Sequence, residues 1–148
     1  MTSPEQSMQR CLELGRIAAS HGDAPVGSVI VRDGQIIAEG IEAVRSNNDP
    51  TAHAEIEAIR AACRDLATLD LTGSILYTNV EPCWMCAYAI RQTRISTVIF
   101  GTSNTEVGSV HSSVAVLIDA RVAMPVPHVE AGLLRDECDQ LVAAYRNQ

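Results

Sequence analysis

The sequence predicts an α/β fold in which a mixed sheet is covered by helices. Three observations carry this. Helical and strand-like patterns alternate along the chain. The first two strand-like runs flank Asp33-Gly34, a hairpin signal. The composition, 47% hydrophobic and 20% charged over 148 residues, is that of a globular chain able to bury its own core, read as one domain over 1–148.

The elements follow in order. Ser3-Pro4-Glu5-Gln6 reads as a helix start, with Ser as N-cap, Pro in the first turn and Gln at the capping-box position. Apolar residues at Met8, Cys11, Leu12, Gly15 and Ala18-Ala19 carry one helical face to about Ser20. Strands are predicted at 26–32 and 35–39, then a polar loop over 42–50. Thr51 or Asp49 is positioned to cap a helix over 52–65. A buried strand at 74–79, a helix at 83–93 and a strand at 97–100 come next. A polar loop spans 102–113, and 114–119 fits helix or strand equally. A short strand at 126–130 and a helix at 133–146 close the chain.

Composition excludes several classes. Aromatic residues make up 3%, with one Phe and one Trp, so the core is aliphatic and a base-stacking platform is not expected. The net charge is -7, and all 11 basic residues are Arg, without a cluster. Nucleic-acid binders carry a basic footprint, so a small-molecule partner is expected in place of a polynucleotide. No apolar run reaches the ~18–20 residues that span a bilayer, and no signal-peptide pattern opens the chain, so a cytoplasmic location without membrane contact is expected. Five Cys is an odd count in such a protein, which argues against a disulfide framework. Cys11, Cys63 and Cys138 lie on apolar helical stripes and read as core or interface.

Two segments carry chemistry: Thr51-Ala52-His53-Ala54-Glu55 and Glu81-Pro82-Cys83-Trp84-Met85-Cys86. Each falls at a predicted helix start. Cys83 and Cys86, three residues apart, share one helix face, and a helix N-terminus favours thiolate. Two thiolates and one imidazole, from His53, suit Zn²⁺ and leave its fourth position for water, as in catalytic sites. Zinc lowers the pKa of such a water to about 7. Glu55, two residues after His53, is placed to carry protons between that water and a substrate nitrogen. Without His53 and Glu55, the Cys pair would read as a dithiol redox motif. A structural zinc site would need a fourth ligand, with His111, His128, Cys138 and Cys63 as candidates. Glu81 reads equally as a partner of the metal site or a solvated residue at a helix start. Trp84 reads as packing, His111 as a loop residue at a pocket rim and Asp49 as a turn and cap residue.

His53-Ala54-Glu55 with Pro82-Cys83-Trp84-Met85-Cys86 resembles the signature of the zinc-dependent cytidine/deoxycytidylate deaminases. Asn48 to Glu55, Leu76-Tyr77-Thr78 followed by Glu81-Pro82-Cys83, and Pro25 to Val29 look like the branch holding guanine, cytosine and tRNA adenosine deaminases. The stretch 58–63 is similar to guanine deaminases, and 129–138 to tRNA adenosine deaminases. The resemblance implies a three-layer α-β-α sandwich with a five-stranded mixed sheet, and a homodimer. It implies one zinc per chain on His53, Cys83 and Cys86, with Glu55 as proton shuttle. It further implies substrate contacts from the Ala54 N–H and from Val26. The position eleven residues before the zinc His, usually Asn in these relatives, is Glu42 here. An ionised Glu only accepts hydrogen bonds, so the substrate is expected to offer it an N–H or O–H. The tRNA-acting relatives tend to a basic C-terminal helix, whereas 133–148 is acidic, with Tyr145 as its aromatic residue. The expected activity is hydrolytic deamination of a small base or nucleoside of guanine or cytosine type. A tRNA adenosine deaminase is the alternative.

Overall fold

The computed structural model describes residues 1–112 and 114–146. Ser113, the end of the predicted 102–113 loop, and the last two residues of the tail lie outside it. Helix α1 (Pro4–Ser20) opens on the predicted capping box: Ser3 Oγ accepts from the Gln6 N–H at 3.1 Å and Gln6 Oε1 from the Ser3 N–H at 2.9 Å. Strands β1 (Gly27–Arg32) and β2 (Gln35–Ile41) pair antiparallel. The turn between them puts Asp33 at φ 52° and Gly34 at φ 75°, the left-handed pair of a type I′ hairpin. Then follow α2 (Ala54–Leu66), β3 (Ile75–Val80), α3 (Trp84–Thr93), β4 (Thr97–Thr102), β5 (His128–Ala131) and α4 (Arg135–Arg146).

The five strands form one mixed sheet in the order β2-β1-β3-β4-β5. β1 runs antiparallel to β2 and β3, while β3, β4 and β5 run parallel. The pleat sorts side chains between two apolar layers. Ile30, Leu76 and Val98 meet Ala58, Ala62, Ala87 and Ile90 of α2 and α3 on one face. Val29, Tyr77 and Ile99 meet Met8, Cys11, Leu12 and Cys138 of α1 and α4 on the other. Each fully buried aliphatic side chain here contributes about 1.5–3 kcal/mol. The predicted three-layer sandwich is therefore what forms. Cys11 and Cys138 are core residues, and Cys63 is half-buried at the edge of the α2–α3 layer.

Three expectations need correction. The segment 114–119 is neither helix nor strand but a run of turns. It drops Leu117, fully buried, into the α2–α3 core. The N-cap of α2 is His53, not Thr51 or Asp49. Asp49 instead closes a tight turn, accepting from the N–H and hydroxyl of Thr51 at 2.8 and 2.7 Å. The last strand starts at His128, because 126–127 has no paired neighbour in the sheet. Among the described residues no helix is long and apolar enough to cross a membrane.

Candidate active site

α2 and α3 start side by side at the same end of the sheet, and each is capped by a residue whose side chain stays out of the cap. His53 and Cys83 both have extended backbone (φ -72° and -73°) and make no side-chain capping bond. Their carbonyls accept the first helical bonds, from Glu57 and Ala87, each at 2.9 Å. The imidazole and thiol are thus free to project beyond the helix ends. The first amide of α2 is satisfied from outside, by Glu42 Oε1 at 3.0 Å from the Ala54 nitrogen. β2 lies against this helix start without a side chain between them, since a Cβ on Gly40 would overlap the Ala54 carbonyl oxygen.

His53 Nδ1 lies 3.5 Å from Cys83 Sγ and 3.6 Å from Cys86 Sγ. Among the described residues, His53, Cys83 and Cys86 are the one group of three His, Cys, Asp or Glu side chains with ligand atoms all within 4.8 Å of one another. The donor set fits zinc in chemistry and in size. Bonds of about 2.3 Å to sulfur and about 2.0–2.1 Å to nitrogen at tetrahedral angles place N and S about 3.6 Å apart. His111, His128, Cys138 and Cys63 are not in the group, so none supplies a fourth ligand there.

Charge within the cluster is divided accordingly. The Cys83 sulfur is pulled down to about 4, first by the hydrogen bond from Cys86 and then by His53, against its burial. His53 is raised to about 9, chiefly by its hydrogen bond with Cys83. Cys86 is pushed upward, first by Cys83 and then by burial. Metal binding needs the thiolates and the neutral imidazole, so it displaces whatever protons these groups carry.

Glu55, in the first turn of α2, is buried at 4% exposure. Its Oε1 accepts from Thr78 Oγ at 2.7 Å, and its Oε2 lies 3.2 Å from Cys86 Sγ. Burial raises its pKa above the usual carboxylate range. Glu42 is pushed up to about 7, first by burial and then by the charge of Glu55.

These groups open on a cleft of about 210 Å³ whose walls include Val26, Glu42, His53, Glu55, Asn104 and Val107. Val26 is one of these walls. The Ala54 N–H, predicted to meet substrate, donates to Glu42 instead. Past Val26 and Asn104 the cleft shares walls with a groove of about 570 Å³ that reaches Tyr145 and Arg146 on α4. Trp84 is 39% exposed, with Nε1 directed to Ser112 Oγ at 3.3 Å, and it does not line the cleft.

The sequence reading missed the residues that hold the walls. Asn79, fully buried, donates to the Pro25 carbonyl at 2.8 Å and accepts from the Gly27 N–H at 2.9 Å, fixing Val26 between them. Thr78 fixes Glu55. Glu81 is buried and not solvated, and it binds the 104–111 segment. The usable signal was the polar pair Thr78-Asn79 inside an apolar strand run, since buried polar groups must find partners.

The chain is similar to known proteins along most of its length. Residues 1–102 match the model of the cytidine and deoxycytidylate deaminase zinc-binding region. A tRNA-specific adenosine deaminase of Haemophilus influenzae is 37% identical over 142 residues, covering 95% of this chain and 82% of the relative. A guanine deaminase of Bacillus subtilis is 51% identical over 82 residues, 55% of this chain and 53% of the relative. A solved structure of a tRNA:A34 deaminase superposes with a TM-score of 0.87 at 37% identity, over 91% of this chain and 97% of that one. With the His/Cys/Cys zinc site formed at the helix starts, the chain is a deaminase, a hydrolase of C–N bonds in nucleobases, and belongs to the cytidine and deoxycytidylate deaminase zinc-binding family.

Proposed function

We propose that this enzyme hydrolyses the exocyclic amine of an adenosine carried in RNA, releasing ammonia and leaving a ring carbonyl. The observation that supports this ring is the extent of the likeness. The relative named for tRNA adenosine matches 95% of the chain, whereas the guanine deaminase matches 55%. Composition alone pointed to a small-molecule partner. The groove running from the cleft to α4 offers room for more than a single ring.

Zinc held by His53, Cys83 and Cys86 supplies Lewis acidity, which makes water nucleophilic near neutral pH. The remaining work falls to the chain. Glu55 takes one proton from the attacking water and passes it to a ring nitrogen, then takes the second from the hydroxyl added to the ring carbon and passes it to the departing amine. Its burial raises its affinity for each proton, and the Thr78 hydroxyl holds Oε1 so that the carboxylate keeps one orientation. Val26 supplies an apolar wall for the ring. Glu42 has one oxygen on the Ala54 N–H, and its second accepts a donor from the substrate, such as a ribose hydroxyl or an amine.

A second reading is a free base or nucleoside of guanine or cytosine type. Two observations favour it: the net charge of -7 without any Lys, and the acceptor Glu42, which suits a ring N–H. Ammonia release from the zinc-loaded protein distinguishes them. The panel is a tRNA anticodon stem-loop, free bases, nucleosides, pterins and triazines. Release from the stem-loop alone supports the first reading, and release from a base or nucleoside alone overturns it. A Glu42→Gln variant with unchanged substrate profile and turnover would remove Glu42 from recognition.

A further inference from the structure

Glu81 sits two residues before a zinc ligand and borders the cleft, and its carboxylate is bonded to main-chain N–H groups of the 104–111 segment. The residue is 2% exposed. Its Oε2 accepts from the main-chain N–H groups of Val110 at 2.9 Å and His111 at 3.1 Å, and Oε1 from that of Asn104 at 3.2 Å. Oε1 also lies 3.1 Å from His111 Nδ1. A carboxylate only accepts, so that ring nitrogen carries the proton. Four donors from one segment thus converge on one buried anion. The fit is two-sided: a Cβ on Gly108 would overlap Glu81 Oε2, and Gly108 itself bridges to Cys83. Ser109 adds bonds from its N–H and hydroxyl to the Pro82 carbonyl, at 3.0 and 2.7 Å. The segment so tied carries Asn104 and Val107, which form the cleft wall beside His53 and Glu55.

We propose that Glu81 is a positioning residue for the deamination. Its carboxylate folds the 104–111 segment onto the start of α3, and so sets the wall that holds the base. It lies outside the metal's ligand group, and its carboxylate oxygens bond to the 104–111 segment. Its effect is on binding and orientation through Asn104 and Val107. This rests on the deaminase reading, and it applies to whichever ring is turned over.

The test is Glu81→Gln, which keeps the shape but offers an amide NH₂ where N–H donors converge. Zinc content, amide exchange of Val110 and His111, and steady-state ammonia release are measured, with the anticodon stem-loop, guanine or cytosine as the ring supplied. Zinc is expected to stay at one per chain. Exchange at both amides should accelerate, and KM should rise, each about tenfold or more, the scale of one lost charge-assisted bond. kcat should stay within about threefold. A merely structural role would lower the active fraction, and hence kcat, and leave KM alone. Unchanged exchange with unchanged KM overturns the proposal, and so does loss of zinc in parallel with kcat. His111→Ala leaves Glu81 in place and removes one of its four donors, the ring Nδ1. It should raise KM in the same sense, and it carries the test if Glu81→Gln does not fold. Failure of the wild type to release ammonia from any ring counts against the substrate reading, whereas the exchange data judge Glu81 without substrate.

Discussion

Arg91 on α3 is the largest fully buried side chain among the described residues, and no carboxylate pairs with it. Its guanidinium donates to six main-chain carbonyls, those of Val116, Leu117, Asp119, Val122, Met124 and Pro125. One cation thereby folds a segment that has neither helix nor strand of its own. Five N–H groups serve these six carbonyls, and hydrogen bonds to a charged donor are worth about 1.5–3 kcal/mol each, so together they would rival the ~5–15 kcal/mol stability of a whole domain. The sum cannot be the net value, because burying the guanidinium costs part of it. In Arg91→Met the carbonyls either remain unpaired or the segment peels into water and withdraws Leu117 from the α2–α3 core. Both routes lead to a loss of about 3–5 kcal/mol. For a chain of this size each kcal/mol moves Tm by about 2–4 °C, so a fall of about 6–20 °C is expected. Arg91→Lys keeps the charge with fewer donors and should fall between variant and wild type. Urea and thermal unfolding followed by circular dichroism read the effect, and amide exchange at Leu117 localises it. Melting of Arg91→Met within about 2 °C of wild type would refute the reasoning.

Three further outcomes are expected. Glu55→Gln should lower turnover by about 10²–10⁴-fold while zinc content holds, and retained turnover would remove Glu55 from proton transfer. Thr78→Val removes a donor that favours the ionised Glu55. The Glu55 pKa should rise further, and the acid limb of the pH–rate profile should move to higher pH; a superimposable profile counts against the contact. Asp23 is held below the ordinary carboxylate value: its burial acts upward, but hydrogen bonds from Ser46 and Arg45 outweigh it. A depressed folded-state pKa means stability that is present above the unfolded value of about 3.9 and lost as pH falls through the folded value. Urea midpoints of wild type should therefore drop more steeply below about pH 4 than those of Asp23→Asn, and parallel curves would contradict this.

What could be read from the chain beforehand follows from how local each signal is. The Ser3/Gln6 capping box, the Asp33-Gly34 turn and the apolar strand runs of β1 and β3 are set by near neighbours, and each formed where expected. The metal residues were legible because two short spacings, each at a helix start, carry the chemistry within themselves. Glu81 was ambiguous, since its donors come from residues more than twenty positions away. Arg91 was silent for the same reason: its six partners are main-chain carbonyls, which leave no mark on residue identity. The 114–119 segment mimicked a helix or strand because its apolar residues serve to plug a core that other elements built. The composition argument failed to anticipate full-length likeness to a tRNA-acting enzyme, because net charge reports on the whole surface and not on one cleft.

Zinc K-edge X-ray absorption on the metal-loaded protein bears most directly on the site itself. Two sulfur ligands at about 2.3 Å, one imidazole nitrogen at about 2.0–2.1 Å and one exchangeable oxygen are the expected shell. A third sulfur, a second imidazole or a directly bound Glu55 carboxylate would close the position that deamination requires and contradict the reading.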